Sequence, residues 1–199
     1  LVLPAPEDWP VLICEEFKDN AYGWQVESQE NEYATYTSAI TLGEFAVDYF
    51  ASGFGGFQRT ALTWFDVASV DDFALSVDGR IRSDSNVVSW GVAFRADEDM
   101  ESFFLLSIYV DNTYAFEIYE DNSWIALISR RPFEGPPREE SNTLRITAIG
   151  GNFVFTINGS QLDEFNSAAL KDEGILLIVS AFEGARASFG FDNLVLQEK

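Results

Sequence analysis

Apolar and polar side chains alternate with a period of two along most of this chain, in short runs broken by Asn, Asp and Gly. "AVDYF" precedes "ASGFGG", "DDFALSVDGRI" precedes "RSDSN", and "VVSWGVAFRA" precedes "DEDMES". Then come "FFLLSIYV", "DNT", "YAFEIYE", "DNS" and "WIALISR"; after "RPFEGPPREESN" follow "TLRITAIG", "GN", "FVFTI", "NGS", "QLDEF", "GILLIVSAF", "EGARA" and "SFGFDNLVL". Period-two runs between such turn residues predict strands joined by hairpins. Only "NSAALKDEG" reads as a helical turn or two. The fold class that follows is all-β, a two-sheet antiparallel sandwich. No unit repeats at a fixed period, which argues against a propeller or solenoid.

Strand parity assigns the faces. Trp90, Val92 and Phe94 point one way and Arg95 the other; Tyr114, Phe116 and Ile118 oppose Ala115, Glu117 and Tyr119. Phe104, Leu106, Ile108 and Val110 make a drier face, leaving Ser107 and Tyr109 on the wetter one. If these three strands are neighbours, Arg95, Tyr109, Glu117 and Tyr119 share an outer surface on which a ligand would bind.

Composition narrows the picture. The 199 residues suffice for one well-buried core, and 18 Phe with one Met and one Cys suit a sheet-on-sheet interior. The expected organisation is a Pro-rich linker over residues 1–10, "LVLPAPEDWP", and a single domain over 11–199. Lacking an initiator Met, the chain reads as a matured or excised part of a longer protein whose signal or anchor lies elsewhere. A net charge of −21 argues against nucleic acid and membrane surfaces as partners. With no His, zinc hydrolysis and Ser-His-Asp or Cys-His catalysis are excluded in their usual forms. Cys14, alone, forms no internal disulfide and reads as a small buried hydrophobe. No apolar run reaches the ~18 residues of a membrane helix.

The order of "EEFKDNAYGW", "DFALSVDGRI", "WGVAFRADED" through "WIALI", "NTLRITAIGGNFVFTINGSQLDEF" and "ASFGFDNLVL" resembles the concanavalin A-like lectin/glucanase superfamily over roughly residues 13 to 196. More narrowly it resembles laminin-G-like and glucanase-like domains of bacterial extracytoplasmic proteins. The resemblance implies a curved jelly roll whose concave face binds glycans in the lectins and glucanases. It also implies an extracellular or extracytoplasmic location, secreted or anchored at the cell surface, beside neighbouring domains of a longer chain.

Retaining glucanases of that superfamily place three acids at alternate positions of one strand, which sets all three carboxyls on one face. A retaining pair must stand about 5 Å apart and an inverting pair roughly 6.5–9.5 Å. The corresponding positions here are Glu117, Tyr119 and Asp121; the central acid is a tyrosine, Glu120 has the opposite parity, and Asp121 opens the turn "DNS". Catalysis through this motif is therefore not expected.

Binding chemistry fits better. Tyr109 and Tyr119 offer aromatic faces for the C–H side of a sugar, Arg95 and Glu117 offer bidentate polar groups, and Trp64 and Trp124 offer stacking from loops or rim. The same residues could equally form a cross-strand Arg–Glu pair beside half-exposed tyrosines. The resemblance further implies a structural Ca²⁺ on an Asp of the last strand, here Asp192, with help from Asn193 or Asp19 and backbone carbonyls; the competing reading has Asp192 bonding backbone N–H groups at a strand bulge. "NGS" at 158–160 matches a glycosylation acceptor but is explained as an Asn-Gly hairpin turn. The expected function is a non-catalytic module that binds carbohydrate or cell-envelope polysaccharide. A structural or protein-interaction module is the alternative, and a glycoside hydrolase the more remote one.

Overall fold

The computed structural model describes residues 8–53, 56–62, 70–137 and 139–199. In chain order the strands are β1 (Val11–Glu15), β2 (Ser28–Glu30), β3 (Ala34–Thr41), β4 (Glu44–Ala51), β5 (Phe57–Leu62), β6 (Phe73–Arg82), β7 (Val88–Ala96) and β8 (Phe103–Tyr109). They continue as β9 (Thr113–Glu120), β10 (Ser123–Pro132), β11 (Asn142–Ile149), β12 (Asn152–Ile157), β13 (Ser160–Asn166), β14 (Gly174–Phe182) and β15 (Arg186–Glu198). Among the described residues there is no helix, and residues 167–173, where a helical turn was expected, cross irregularly between the sheets.

Two antiparallel sheets stack. The larger runs β13-β12-β11-β6-β15-β4-β3-β2, with β1 alongside the second half of β15; the smaller runs β10-β9-β8-β7-β14-β5. Alternation drives the stacking, because Trp90, Val92, Phe94, Phe104, Leu106, Phe116 and Ile118 of the smaller sheet are buried against Phe73, Leu75, Val77, Ile146, Phe153, Phe155 and Phe191 of the larger. Phe94, Phe104, Phe116, Phe153 and Phe155 interlock with ring centroids 4.7 to 6.4 Å apart, mostly tilted or edge-on, the arrangement that ring quadrupoles favour. Each such side chain contributes roughly 1.5–3 kcal/mol by leaving water. This is the use of the abundant phenylalanine. Gly79 faces Trp90 across the interface, and a Cβ there would lie 2.4 Å from the indole Cε2.

The hairpin turns follow their sequences. Asp121-Asn122 (φ 51° and 56°) and Asn158-Gly159 (φ 51° and 78°) place both central residues in the left-handed region that tight two-residue hairpins require. The expectation for Cys14 is corrected: β1 buries Ile13 and Glu15, and Cys14 is exposed on the other side of the strand. Glu15 is tolerated inside because its carboxylate accepts hydrogen bonds from Phe17 N at 2.7 Å and Trp24 Nε1 at 3.2 Å.

Candidate functional site

The outer face of the smaller sheet is strongly concave. β5 and β10 are its opposite edges, five strand spacings or about 24 Å apart in a flat sheet. Yet the guanidinium carbon of Arg59 on β5 lies 3.9 Å from the ring centroid of Trp124 on β10. The sheet curls until its edges meet across the hollow. Close backbone approach contributes, since a Cβ on Gly91 of β7 would lie 2.3 Å from the Leu106 carbonyl oxygen.

Register lays the floor out in rows. One row runs Arg59, Ser180, Ser89, Tyr109, and Ser107 sits beside Gly91 in the next. Ser89, Ser107 and Ser180 are only 2%, 3% and 2% exposed. Small hydroxyl side chains at these positions keep the floor low and offer donors and acceptors toward the hollow.

Above the floor stands a charged pair. Glu117 Oε2 lies 3.6 Å from Arg59 Nη2, within ion-pair reach but beyond a hydrogen bond, and that oxygen is buried with no hydrogen-bond partner. Burial pushes the Glu117 carboxyl above its ordinary range, against the opposing pull of Arg59, and burial likewise lowers Arg59. Burial and the negative charge of Glu117 raise the Tyr109 phenol. The guanidinium carbon of Arg130 lies over the Tyr109 ring, 3.9 Å from its centroid, and Arg130 donates to Asp111 at 2.8 Å. For Asp111, burial acts upward, but hydrogen bonds from Thr113 and Arg130 outweigh it and keep the carboxyl low.

Of the residues expected to share this face, Tyr109, Glu117, Tyr119 and Trp124 do. Tyr119 and Trp124 pack at 4.9 Å, and Phe103 joins them at 5.3 and 5.6 Å. Arg95 does not. It has φ 54° at a bulge between the Phe94 and Ala96 pairings, and its side chain turns to the end of the sandwich, where it donates to the carbonyls of Asp71 and Gly150 and lies 3.5 Å from the Asp71 carboxylate. One extra residue thus reverses the parity on which its placement rested. Trp64 lies outside the described residues. Sequence reasoning placed Ser107 on this side but missed Arg59, Arg130, Ser89 and Ser180; the alternation of Ser89, Gly91 and Ala93 with Val88, Trp90 and Val92 was the signal that would have found the floor.

No protein-family model matches the sequence, and no curated protein does. Solved structures match over nearly the whole chain. A β-glucanase from Bacillus licheniformis superposes with a TM-score of 0.67 at 13% identity, covering 94% of this chain and 97% of its own. The carbohydrate-binding module CBM66 from Bacillus subtilis superposes at 0.55 and 14%, covering 90% and 98%. The catalytic domain of an endo-1,3-β-glucanase (laminarinase) from Thermotoga petrophila does so at 0.60 and 10%, covering 97% and 99%. The fold is a concanavalin A-like jelly roll. Binding modules and glucanases both adopt it at such identities, so the jelly roll alone leaves catalysis open.

Within this jelly roll the alternating acid triplet is not assembled on β9. Glu117 faces the hollow, Tyr119 takes the next outward position, and Asp121 sits in the hairpin turn. At the other surface Asp192 opens a bulge in β15, where its Oδ1 accepts from Asn193 N at 2.7 Å. Its cross-strand partner Asp78 accepts from Thr143 Oγ1 at 2.5 Å and Asn193 Nδ2 at 2.9 Å. Asp19 closes its own turn by accepting from Ala21 N at 2.9 Å. Calcium takes six to eight oxygens, and among the described residues no three His, Cys, Asp or Glu gather to hold a metal. A site of one carboxylate with backbone carbonyls, as expected for Asp192, is a different arrangement from such a cluster.

Proposed function

We propose that this jelly roll is a non-catalytic carbohydrate-binding module working outside the cytoplasm, with its glycan held on the concave face of the smaller sheet. The observation that carries the reading is the Glu117 oxygen, buried without a hydrogen-bond partner beside Arg59 and above the serine floor. A sugar hydroxyl placed between the two side chains donates to Glu117 and accepts from Arg59, and a neighbouring hydroxyl reaches the serines. Tyr109, Phe57 and Phe182 wall that end of the hollow, with Phe57 in edge contact with both at 6.3 and 5.7 Å. The similar structures, a carbohydrate-binding module and glucanases among them, support the same chemistry. Binding of the protein to a broad glycan array tests it, with Glu117→Gln as the matched control. Retention of specific glycans by the wild type and their loss from the variant is the expected result.

One observation favours a second reading, a module that docks another protein. β10 is an edge strand that leaves Ile125 53% exposed beside Trp124 at 36%. A clean negative on the array would move the assignment there.

A further inference from the structure

The concave face is divided in two. On one side of the Arg59–Glu117–Trp124 contact lie Ser89, Ser107, Ser180, Tyr109 and Arg130; on the other, Ala93, Phe103, Leu105 and Ile178 belong to an apolar cluster with Leu176, Met100 and Tyr119 packed against it. Glu117 stands at the boundary, with Leu105 and Ala126 as its cross-strand neighbours. At 3.9 Å the Arg59 guanidinium and the Trp124 ring are in van der Waals contact, so nothing passes between them. Beyond them the floor side chains of Ala93, Leu105, Ile178 and Leu176 carry no hydroxyl or charge to meet those of a sugar, and burying unmatched hydroxyls is unfavourable.

We infer that the concave face is a blind-ended pocket that takes the terminal residue of a neutral glycan and not the interior of a chain. The inference rests on the carbohydrate reading and narrows it. A polysaccharide lying along the hollow would have to displace the edge-to-edge contact and cross the apolar half. A chain end needs neither: it enters from the side of Phe57, Phe182 and Arg130 and stops at Arg59. Neutrality follows from the charges, because Arg59 faces Glu117 and Arg130 is held by Asp111 at 2.8 Å, which leaves no guanidinium in the pocket without a carboxylate opposite.

Two measurements on the whole chain test this. Isotope-labelled protein is titrated with glucose, galactose, mannose and fructose and with glucuronic and galacturonic acids, following backbone amide shifts. Saturation is then measured on laminarin, levan and galactan fractions of increasing length. The expected result is a response to at least one neutral sugar, exceeding that to the acids. Its shifts cluster at Ser89, Ser107 and Ser180 and spare Ala93 and Leu105, and polymer saturation stays at one protein per chain end whatever the length. Shifts spanning both halves, an equal or stronger response to the acids, or saturation that grows with chain length would overturn the inference and leave the carbohydrate reading standing. Silence from every sugar and polymer would overturn both.

Discussion

Glu117 is a carboxylate whose environment sets its behaviour more than its own chemistry does. Burial raises its pKa above the usual 4.5 and Arg59 only partly offsets this. Between the unfolded and folded values the native state therefore holds more protons, and stability falls as pH rises through that window. Ligand binding runs the other way, because the charged form is the acceptor a sugar hydroxyl needs. Affinity is expected to fall on acidification, with a midpoint above that of an ordinary glutamate. Glu117→Gln is expected to flatten the profile and weaken binding about 10- to 100-fold, the equivalent of a charge-assisted hydrogen bond worth roughly 1.5–3 kcal/mol; calorimetric titration between pH 4 and 7 checks both. The floor serines give the complementary test. Ser89→Ala and Ser180→Ala remove hydroxyls that face the hollow, so glycan affinity is expected to drop while urea midpoints shift little. At this scale parity located Tyr109, Glu117 and Tyr119 from sequence. It failed at Arg95, where a left-handed bulge residue inserts one position, and nothing in "AFRAD" announces that bulge.

Strands were legible where one face is uniformly apolar and illegible where it is not. β7, β8 and β9 keep large apolar residues on their inner positions as far as Ile118, two residues before the end of β9. β5, by contrast, turns Gln58 and Thr60 to the inner side along with Leu62, and Thr60 Oγ1 donates to Tyr49 Oη at 3.2 Å. β3 likewise carries Ser38 on its buried side, where the hydroxyl donates to the Gln25 carbonyl at 2.8 Å and accepts from Glu27 N at 3.0 Å. Polar residues satisfied inside the sandwich erase the period-two signal, and with β5 the sequence reading lost Arg59. "NSAALKDEG" failed in the opposite sense: its alanines favour a helix, but only Leu170 among residues 167–173 is buried, so the segment has no face to pack. The larger sheet yields its own test. Because a Cβ on Gly79 would strike the Trp90 indole, Gly79→Ala is expected to cost about 1–3 kcal/mol by overpacking, read as a lower urea midpoint at unchanged slope.

At the scale of the whole molecule the net charge of −21 dominates. Seven cations are ion-paired among the described residues, so most of the 33 acids repel one another unneutralised. Such self-repulsion favours the unfolded chain and is screened as the Debye length shrinks from about 30 Å at 0.01 M salt to about 8 Å at 0.15 M. The melting midpoint is therefore expected to climb with sodium chloride. The same repulsion is concentrated where Asp78 and Asp192 stand directly opposite each other, a pairing that destabilises a sheet when both are charged. Any divalent cation relieves it by screening, and only a true coordination site distinguishes calcium from magnesium, whose smaller shell tolerates less distortion. Since the carboxylate oxygens at that bulge are largely committed to Asn193 and Thr143, calcium and magnesium at equal ionic strength are expected to raise the midpoint alike, and EDTA to leave it where dilute sodium chloride does. An excess shift with calcium, abolished by Asp192→Asn and not by Asp19→Asn, would show instead that the bulge opens to bind the ion, with the stabilisation growing as the logarithm of calcium concentration above its dissociation constant.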